Sequence, residues 1–246
     1  MLTARRIVIT GASSGIGRGL AREYAAQGAQ VWAVARNEAA LADTARGHPG
    51  IHITPADLTT GAGRRAVVTA VERTGGVLDV AVHAAGFLGP VGVPLAGYPE
   101  PEWRAVFEAN VTAVHLLHQG LSTHLDAGTA PTVIALASTV GRTPRAGWGM
   151  YAVSKHALEW WVAMLALEWP RGRVYSVNPG GTRTPMRAAA MPAEDPAAVP
   201  APEEIAPLFL RLAHPAAPEP SGSVLDARDW IGRNPWEGLD PGATRQ

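Results

Sequence analysis

Residues 6–17 read RIVITGASSGIG, a short apolar run followed by a glycine-rich turn and the first residues of a helical pattern. A strand, a glycine turn and a helix N-terminus together form a phosphate site, because glycines admit a close ligand and the free N–H groups favour an anion. A lone turn of this kind can also be a tight connection without a ligand. Its place on the first strand–helix unit favours binding of a pyrophosphate. The spacing G-x-x-x-G-x-G differs from the commoner G-x-G-x-x-G.

Short apolar runs alternate with amphipathic segments along the whole chain. This alternation predicts an α/β fold: one Rossmann domain over residues 1–246, with a doubly wound parallel sheet of about seven strands and helices on both faces. The predicted strands are Arg6–Thr10, Gln30–Ala35, Ile51–Pro55, Leu78–His83, Thr132–Ala137, Arg173–Val177 and Ser223–Leu225. Helical patterns cover 15–28, 37–46, 61–74, 101–125, 149–169 and 202–213.

Composition excludes several function classes. The formal net charge is zero, so nothing in the charge balance argues for nucleic acid or an anionic membrane surface. There are no cysteines, which rules out disulfides, thiolate metal sites and cysteine nucleophiles. No apolar run approaches the length of a membrane span and no signal-peptide pattern opens the chain. We therefore expect a cytoplasmic protein without a metal site.

The end of the second predicted strand discriminates between the two nicotinamide cofactors. An acid there would bind the adenosine ribose 2′-hydroxyl, whereas an arginine accommodates a 2′-phosphate. The strand ends Val34-Ala35-Arg36-Asn37, with an arginine and no acid. A solvated arginine at the start of the next helix is the competing interpretation. If a dinucleotide binds, Arg36 favours NADP(H) over NAD(H).

Lys155 is the only lysine among 21 basic residues, and it lies four residues after Tyr151. Residues four apart share one helix face, so a helix here sets the ammonium beside the phenol. Chance would give this spacing in about 2% of placements, which already counts against coincidence. A position that keeps an amine where all others accept a guanidinium indicates a role that arginine cannot fill.

With both motifs in view, the chain resembles the short-chain dehydrogenase/reductase family, in its compact single-domain branch. The resemblance runs from about Arg5 to Asp226, and the matches occur in the family's order. The stretch from Gly141 to Pro202 looks most like a poorly characterised bacterial subgroup of these enzymes. The resemblance implies an oxidoreductase that transfers a hydride between a nicotinamide and a secondary alcohol or ketone.

The resemblance also implies the residues of the site. Asp57 matches an adenine contact, and the stretch from Pro179 to Thr184 matches a segment beside the nicotinamide. The implied catalytic residues are Asn110, Ser138, Tyr151 and Lys155. The implied cofactor-binding residues are Gly11, Ser13, Ser14, Gly15, Ile16, Gly17, Arg36, Asp57, Leu58, Ala85, Gly86, Tyr151, Lys155, Pro179, Gly180, Thr182 and Thr184.

Two segments depart from the family pattern. Where the family has Asn-Asn-Ala-Gly, this chain has His83-Ala84-Ala85-Gly86, so the amide hydrogen bond of one asparagine is lost. His83 is assigned no catalytic role, because a histidine at a strand end is more often structural. Where the family has Asp-Gly-Gly, this chain has Asp226-Ala227-Arg228. The last turn and the tail, 228–246, are therefore expected to differ in conformation from the family's pattern.

The expected chemistry centres on Tyr151 as the general acid in reduction and the general base in oxidation. Lowering a tyrosine pKa from about 10 to 7 needs about 4 kcal/mol. An ammonium about 4 Å away supplies roughly that much at an effective dielectric of about 20. By resemblance, Lys155 also binds the nicotinamide ribose and Ser138 binds the substrate oxygen. Asn110 holds a water for proton relay, through its side chain or a local backbone distortion.

Substrate contact and assembly are predicted from neighbourhood and apolarity. Phe87, Trp148 and Met186 are candidate walls for a small carbonyl or alcohol substrate. The proline-rich segment 184–202 is a predicted lid. The chain is expected to form a homodimer or homotetramer in which helices 101–125 and 149–169 make the contact between subunits. The second helix is apolar nearly all round and carries Trp160. The competing cover for that helix is the tail, with Trp230 and Trp236.

Other function classes make different predictions. A methyltransferase would need an acid at the end of the second strand and has no use for Tyr151 and Lys155. A non-catalytic NADP(H)-binding regulatory protein would keep the glycine turn and usually lose Ser138, Tyr151 or Lys155, and all three are present. A pure scaffold would bind no cofactor.

Overall fold

Seven parallel strands form one sheet in the order β3-β2-β1-β4-β5-β6-β7 in the computed structural model, which describes residues 1–239. The predicted fold class is confirmed. The strands are β1 Arg6–Thr10, β2 Gln30–Ala35, β3 Ile51–Pro55, β4 Val80–His83, β5 Thr132–Leu136, β6 Arg173–Asn178 and β7 Val224–Asp226. The strand order reverses between β1 and β4, which in open α/β sheets opens a crevice at the carboxyl ends of the strands.

Helices cover both faces of the sheet. They are α1 Gly15–Ala26, α2 Glu38–Ala45, α3 Gly61–Glu72, α4 Glu100–Phe107, α5 Ala113–Asp126, α6 Thr139–Arg142, α7 Gly149–Glu168, α8 Pro185–Ala190 and α9 Ala206–Ala213. One buried cluster joins the sheet to α1, α2 and α9, and a second joins its other face to α3, α5 and α7. The strands are apolar on both sides because both faces are covered.

Several predicted boundaries move in the structure for identifiable reasons. The single helix predicted over 101–125 is two helices separated by a π-helical turn, Glu108–Thr112. β4 begins at Val80 rather than Leu78, because the carboxylate of Asp79 accepts the backbone N–H of Arg6 at 2.9 Å. The predicted helix over 202–213 begins only at α9, after a series of turns.

The segment 184–202 is an interrupted helix. It contains α8 and a short 3₁₀ turn, Pro196–Ala198, and its five prolines interrupt regular hydrogen bonding. The predicted tail, 228–246, is described only as far as Leu239, and residues 240–246 lie outside the described residues. Trp230 and Trp236 pack against the cluster that contains α9. The alternative that the tail covers α7 is therefore wrong for these two side chains.

Within residues 1–239, every helix is too short or too polar to cross a bilayer.

Candidate active site

A cleft of about 780 Å³ lies at the carboxyl ends of the strands, where the sheet order reverses. Its size is within the range of cofactor sites. Most residues predicted to bind cofactor line it: Gly11, Ser13, Ser14, Gly15, Ile16, Gly17, Arg36, Asp57, Leu58, Ala85, Gly86, Tyr151, Lys155, Pro179 and Thr184. Gly180 and Thr182 do not line the cleft, but they lie in the segment between two residues that do, Pro179 and Thr184. Val34, Asn37, Ala56, Thr59 and Pro185 also line it and were not predicted.

The three glycines of the first turn are required by the protein's own packing. A Cβ at Gly17 would lie 2.4 Å from the carbonyl oxygen of Gly11, and one at Gly11 would lie 2.8 Å from the backbone of Ala85. Gly15 has φ +50° and would meet the methyl group of Thr184 at 2.9 Å. The glycines thus bring the turn, the loop after β4 and the start of the lid together around the cleft.

The N-terminus of α1 fits a bound anion. Its N-cap, Ser14, makes no side-chain capping bond, and the first turn carries no acid. The free N–H groups and the positive end of the helix dipole are therefore not neutralised by the side chain of Ser14 or by an acid of that turn. This donor set matches the pyrophosphate of a dinucleotide.

Thr10 holds the loop after β4 against β1. Its hydroxyl oxygen accepts the backbone N–H of Ala84 at 3.1 Å and that of Ala85 at 3.0 Å. These bonds fix the loop to the sheet although position 84 lacks the family's asparagine. Sequence reasoning missed Thr10, although its position directly before the glycine turn was a usable signal.

Arg36 and Asp57 line the cleft just beyond the ends of β2 and β3. Arg36 is exposed, and the following Asn37 caps α2 by accepting the N–H of Ala40 at 3.0 Å. The carboxylate of Asp57 accepts from the hydroxyl of Thr59 at 2.7 Å and from its N–H at 3.0 Å. These bonds, with a smaller contribution from Arg36, hold the pKa of Asp57 below its usual range. Asn37 rather than Arg36 caps α2, and Arg36 lines the cleft.

Tyr151 and Lys155 lie one helical turn apart on the buried face of α7. Lys155 is 4% exposed, and its Nζ donates to the carbonyl of Leu136 at the end of β5 at 2.7 Å. The same Nζ lies 5.7 Å from the centroid of the Tyr151 ring. Ser138 lies two residues beyond β5, on the way into α6. Tyr151 and Lys155 line the cleft, whereas Ser138 does not line it but is hydrogen-bonded to Tyr151.

In the protein without cofactor, burial is the main cause of the pKa shifts of Tyr151 and Lys155. Burial raises the pKa of Tyr151 to about 12, and the hydrogen bond with Ser138 only partly offsets this. Burial also lowers the pKa of Lys155 to about 8. Neither shift includes a contribution from the other group. The expectation that Lys155, aided by the positive nicotinamide, lowers the Tyr151 pKa toward 7 stays a prediction for the cofactor-bound enzyme. At neutral pH Tyr151 is a protonated phenol.

Asn110 is fully buried in the π-helical turn, and its side chain has a complete set of partners. Its Oδ1 accepts the N–H of Phe87 at 2.7 Å, and its Nδ2 donates to the carbonyl of Phe87 at 3.0 Å and to the hydroxyl of Ser154 at 2.9 Å. Ser154 in turn donates to the carbonyl of Tyr151 at 2.8 Å. The amide therefore ties the loop at Phe87 to α7. Ser154 was missed although it stands inside the Tyr–Lys motif.

The candidate substrate walls are apolar. Trp148, Tyr151, Val140 and Ala190 form a small cluster, to which the partly buried Leu88, Met186 and Met191 add. The Trp148 ring centroid lies 5.9 Å from that of Tyr151, although Trp148 does not itself line the cleft. Phe87 and Met186 do line it, and Phe87 is 44% exposed.

His83 points away from the cleft into the core. Its ring meets Trp161 edge-on at 6.0 Å, and Trp161 also packs on His118 at 5.4 Å. Burial lowers the pKa of His83 to about 3 and that of His118 to about 4. Both rings are neutral packing elements at neutral pH, as the structural interpretation of His83 required.

Comparison with known proteins finds one matching family model and close relatives of known sequence and structure. The family model described as short chain dehydrogenase matches residues 5–195. The uncharacterized oxidoreductase YciK of Escherichia coli (strain K12) is 37% identical over 243 residues, which cover 96% of this chain and 95% of the relative. A short chain dehydrogenase of Shigella flexneri 2a str. 301, solved in complex with NADP, has a TM-score of 0.86 and 38% identity, over 92% of this chain and 98% of that one. A short chain dehydrogenase of Escherichia coli CFT073, solved with NADPH, has a TM-score of 0.85 and 38% identity, with coverages of 92% and 97%.

Proposed function

The chain belongs to the short-chain dehydrogenase family, and we propose that this oxidoreductase is NADP(H)-dependent and interconverts a ketone and a secondary alcohol. The observation that carries the proposal is that Tyr151 and Lys155 line a cleft large enough for a dinucleotide, with Ser138 in hydrogen-bonding contact with Tyr151. The matching family model and the relatives solved with NADP and NADPH support it. A non-catalytic NADP(H)-binding regulatory protein is not favoured, because none of the three residues is lost. A cytoplasmic location stays a prediction.

The chain's own residues supply binding and proton transfer. When bound, the nicotinamide supplies the hydride donor or acceptor. The uncapped end of α1 holds the pyrophosphate, and Lys155 holds the ribose hydroxyls. Ser138 donates to the substrate oxygen and stabilises its developing charge. Tyr151 donates its phenolic proton to the same oxygen in the reduction direction. Burial keeps that phenol protonated at neutral pH, which suits a general acid.

Asn110 contributes through its backbone in this proposal. The side-chain amide uses both N–H groups and its oxygen within the protein, so it has little capacity left for a water. The π-helical turn departs from regular helical hydrogen bonding at Asn110. Asn110 and Lys155 both border Gly86, where a Cβ would lie 3.4 Å from the side-chain Oδ1 of Asn110 and 3.7 Å from Nζ of Lys155. The water for proton relay would be held by this local distortion.

The substrate end of the cleft suits an uncharged ketone or alcohol. Phe87 and Met186 offer apolar walls, with the cluster around Trp148 behind them. Two arginines in the segments that border this end, Arg142 and Arg187, have partners of their own. Arg142 pairs with Glu159 at 2.8 Å and with Asp226 at 3.2 Å, and Arg187 pairs with Glu194.

The test of the function is a fluorescence titration with NADPH and NADH, followed by turnover assays on a panel of ketones and secondary alcohols. We expect NADPH to bind and at least one ketone to be reduced. NADPH binding without turnover of any member of a broad panel would favour the regulatory alternative. No binding of either cofactor would reject both.

Arg36→Asp should reverse the cofactor preference. The wild type should bind NADPH about tenfold or more tightly than NADH, because an exposed guanidinium at the end of β2 can pair with the 2′-phosphate. The aspartate repels that phosphate and accepts the ribose hydroxyl, so NADH should become the tighter ligand. Dissociation constants from fluorescence titration decide this.

The control for that change is Arg73→Asp. It alters net charge equally, but Arg73 is the exposed residue after α3 and does not line the cleft. Its cofactor preference should equal that of the wild type. Equal affinity of the unmodified protein for NADPH and NADH would contradict the assignment of Arg36.

Assembly through α7 is proposed from its exposed face. Val153, Trp160, Met164 and Leu167 follow one stripe of that helix, and Trp160 is 61% exposed and Leu167 80%. Such a stripe of large apolar side chains on a helix of the outer layer is typical of a subunit contact. We propose a second copy of the chain as its cover, in a homodimer or homotetramer that also involves the helices within 101–125.

Trp160→Glu should convert the oligomer to a monomer. A charge at the centre of a dry helix–helix contact costs several kcal/mol across two symmetric copies. Light scattering at micromolar concentration measures the mass directly. Ile53→Glu, an equally polar change on the far edge strand β3, should keep the oligomer. A monomeric wild type would reject the proposed interface.

A further inference from the structure

Arg228 reaches from the end of the sheet onto the wall of the cofactor cleft. It lies in the 3₁₀ turn Ala227–Trp230, directly after β7, and its Nη2 donates to the carbonyl of Gly181. Its side chain packs over Gly180, which has φ +65°, and a Cβ there would lie 2.7 Å from Nε of Arg228. A glycine at position 228, as in the family pattern, could make neither contact.

The same turn is held from the lid side by Arg187. A Cβ on Gly181 would lie 3.2 Å from Cζ of Arg187 and 3.3 Å from Nη2 of Arg228, so both guanidinium groups lie against Gly181. Arg187 is bound to Glu194 by two hydrogen bonds, of 2.6 and 2.5 Å. Arg187 and, more weakly, Arg228 lower the pKa of Glu194. We call Arg187, Glu194 and Arg228 the bracket.

The C-terminal segment anchors the turn that carries Arg228. The guanidinium of Arg211, on α9, lies 4.8 Å from the ring of Trp230. It also donates to the carbonyls of Pro235 and Glu237, at 3.4 and 2.8 Å, and is bound to Glu219. Because Arg211 is itself buried, these bonds fix the residues on both sides of Trp230 to the body of the protein.

We propose that Arg228 is a positioning residue: anchored by the C-terminal segment, it holds the turn 179–181 and, through the bracket, the lid 184–202 in the arrangement that binds the cofactor. This inference rests on the proposed function. Pro179 and Thr184 line the cleft on either side of the bracketed turn, so movement of the turn displaces both. Arg228, which replaces the family's glycine, and the C-terminal segment that follows it then serve the same purpose, which is to position the turn 179–181.

Arg228→Gln tests the proposal, with Arg233→Gln as the matched control. Arg233 is an exposed arginine of the same segment, also near the Trp230 ring, at 5.7 Å. The first readout is the dissociation constant for NADPH. We expect it to rise about three- to tenfold in Arg228→Gln, from loss of a charged but exposed hydrogen bond, and to stay within about twofold in the control. At saturating NADPH, kcat should stay within about twofold in both.

The second readout is amide hydrogen exchange in the cofactor-free protein. Residues 179–194 should exchange several-fold faster in Arg228→Gln than in Arg233→Gln, with both variants melting at similar temperatures. Arg228→Lys, which keeps one donor for Gly181, should recover part of the protection. If Arg228→Gln and Arg233→Gln agree in exchange, the bracket has no positioning role, whatever the protein binds. If the wild type fails to bind NADPH, the proposed function fails instead.

Discussion

Tyr151→Phe is expected to reduce turnover by roughly 10²- to 10⁴-fold, the usual contribution of a general acid or base. NADPH affinity should stay within about twofold. The change removes one oxygen and leaves a ring of nearly the same shape, packed on Trp148 at 5.9 Å. In the proposed mechanism no other residue gives a proton to the substrate oxygen, since Ser138 donates only a hydrogen bond to it. Steady-state kinetics with saturating NADPH measure the loss.

Tyr98→Phe is the control for that experiment. It removes the same atom from a partly buried tyrosine whose hydroxyl has no hydrogen-bond partner in the described residues, and Tyr98 does not line the cleft. Its kcat should be close to that of the wild type. A Tyr151→Phe variant that keeps more than about a tenth of the activity would remove Tyr151 from the mechanism.

The pH dependence of turnover should differ between the two directions. Reduction needs the protonated phenol, and burial raises the Tyr151 pKa to about 12 in the protein alone. Oxidation needs the phenolate, so its rate should rise with pH. The positive nicotinamide present in that direction favours the phenolate and should bring the apparent pKa down.

The sequence predicted the parts of the fold that depend on local pattern. Three of the seven strands, those at Arg6–Thr10, Gln30–Ala35 and Ile51–Pro55, have the predicted boundaries. Apolar runs between helical patterns are enough for the central strands, because those strands are covered on both faces, and the spacing between helical patterns places the edge strand β3. The lining of the cleft was also largely predictable, since the ends of parallel strands and the turns that follow them meet at one edge of the sheet.

The helix interruption at Asn110 could not be predicted from local pattern. The segment 101–125 reads as one amphipathic helix, and its extra residue per turn is stabilised by partners far along the chain, Phe87 and Ser154. The burial that raises the pKa of Tyr151 in the protein without cofactor was missed for a related reason. A charge pair can be seen in a sequence, whereas the burial that opposes it depends on the whole fold.

For glycines and arginines too, the sequence shows local roles but not the roles that depend on contacts with distant residues. Gly11, Gly15 and Gly17 were predicted to admit a ligand, and the structure adds that each is also required by contact with the chain itself. Arg228 appeared only as a departure from a pattern. Its partner Gly181 is 47 residues away in sequence, so no local signal connects them.

Lys155→Met is expected to abolish turnover and yet to stabilise the cofactor-free protein at neutral pH. Lys155 is 4% exposed, and burial lowers its pKa from 10.5 to about 8. A pKa depressed in the folded state means that the unfolded chain binds the proton more tightly. Folding therefore carries a cost of about 3 kcal/mol at pH values below 8, which falls as pH rises and vanishes above 10.5.

Methionine removes that cost but leaves the carbonyl of Leu136 without its 2.7 Å partner, which costs about 1–2 kcal/mol. The net gain at pH 7 should be about 1–2 kcal/mol, or a rise in Tm of a few degrees for a chain of this length. The stability difference should fall between pH 8 and 10.5 and change sign, because the burial cost vanishes while the lost hydrogen bond to Leu136 remains. Thermal unfolding at pH 7, 9 and 10.5 without cofactor measures this.

Lys155→Arg completes the argument, because it keeps the charge and changes the shape. The planar guanidinium cannot be deprotonated to relieve burial and is larger than the ammonium it replaces. This variant should be inactive and less stable than the wild type at all three pH values. Full activity in Lys155→Arg, or a stability gap for Lys155→Met that does not change with pH, would show that the solitary lysine is not kept for a buried, compact and titratable charge.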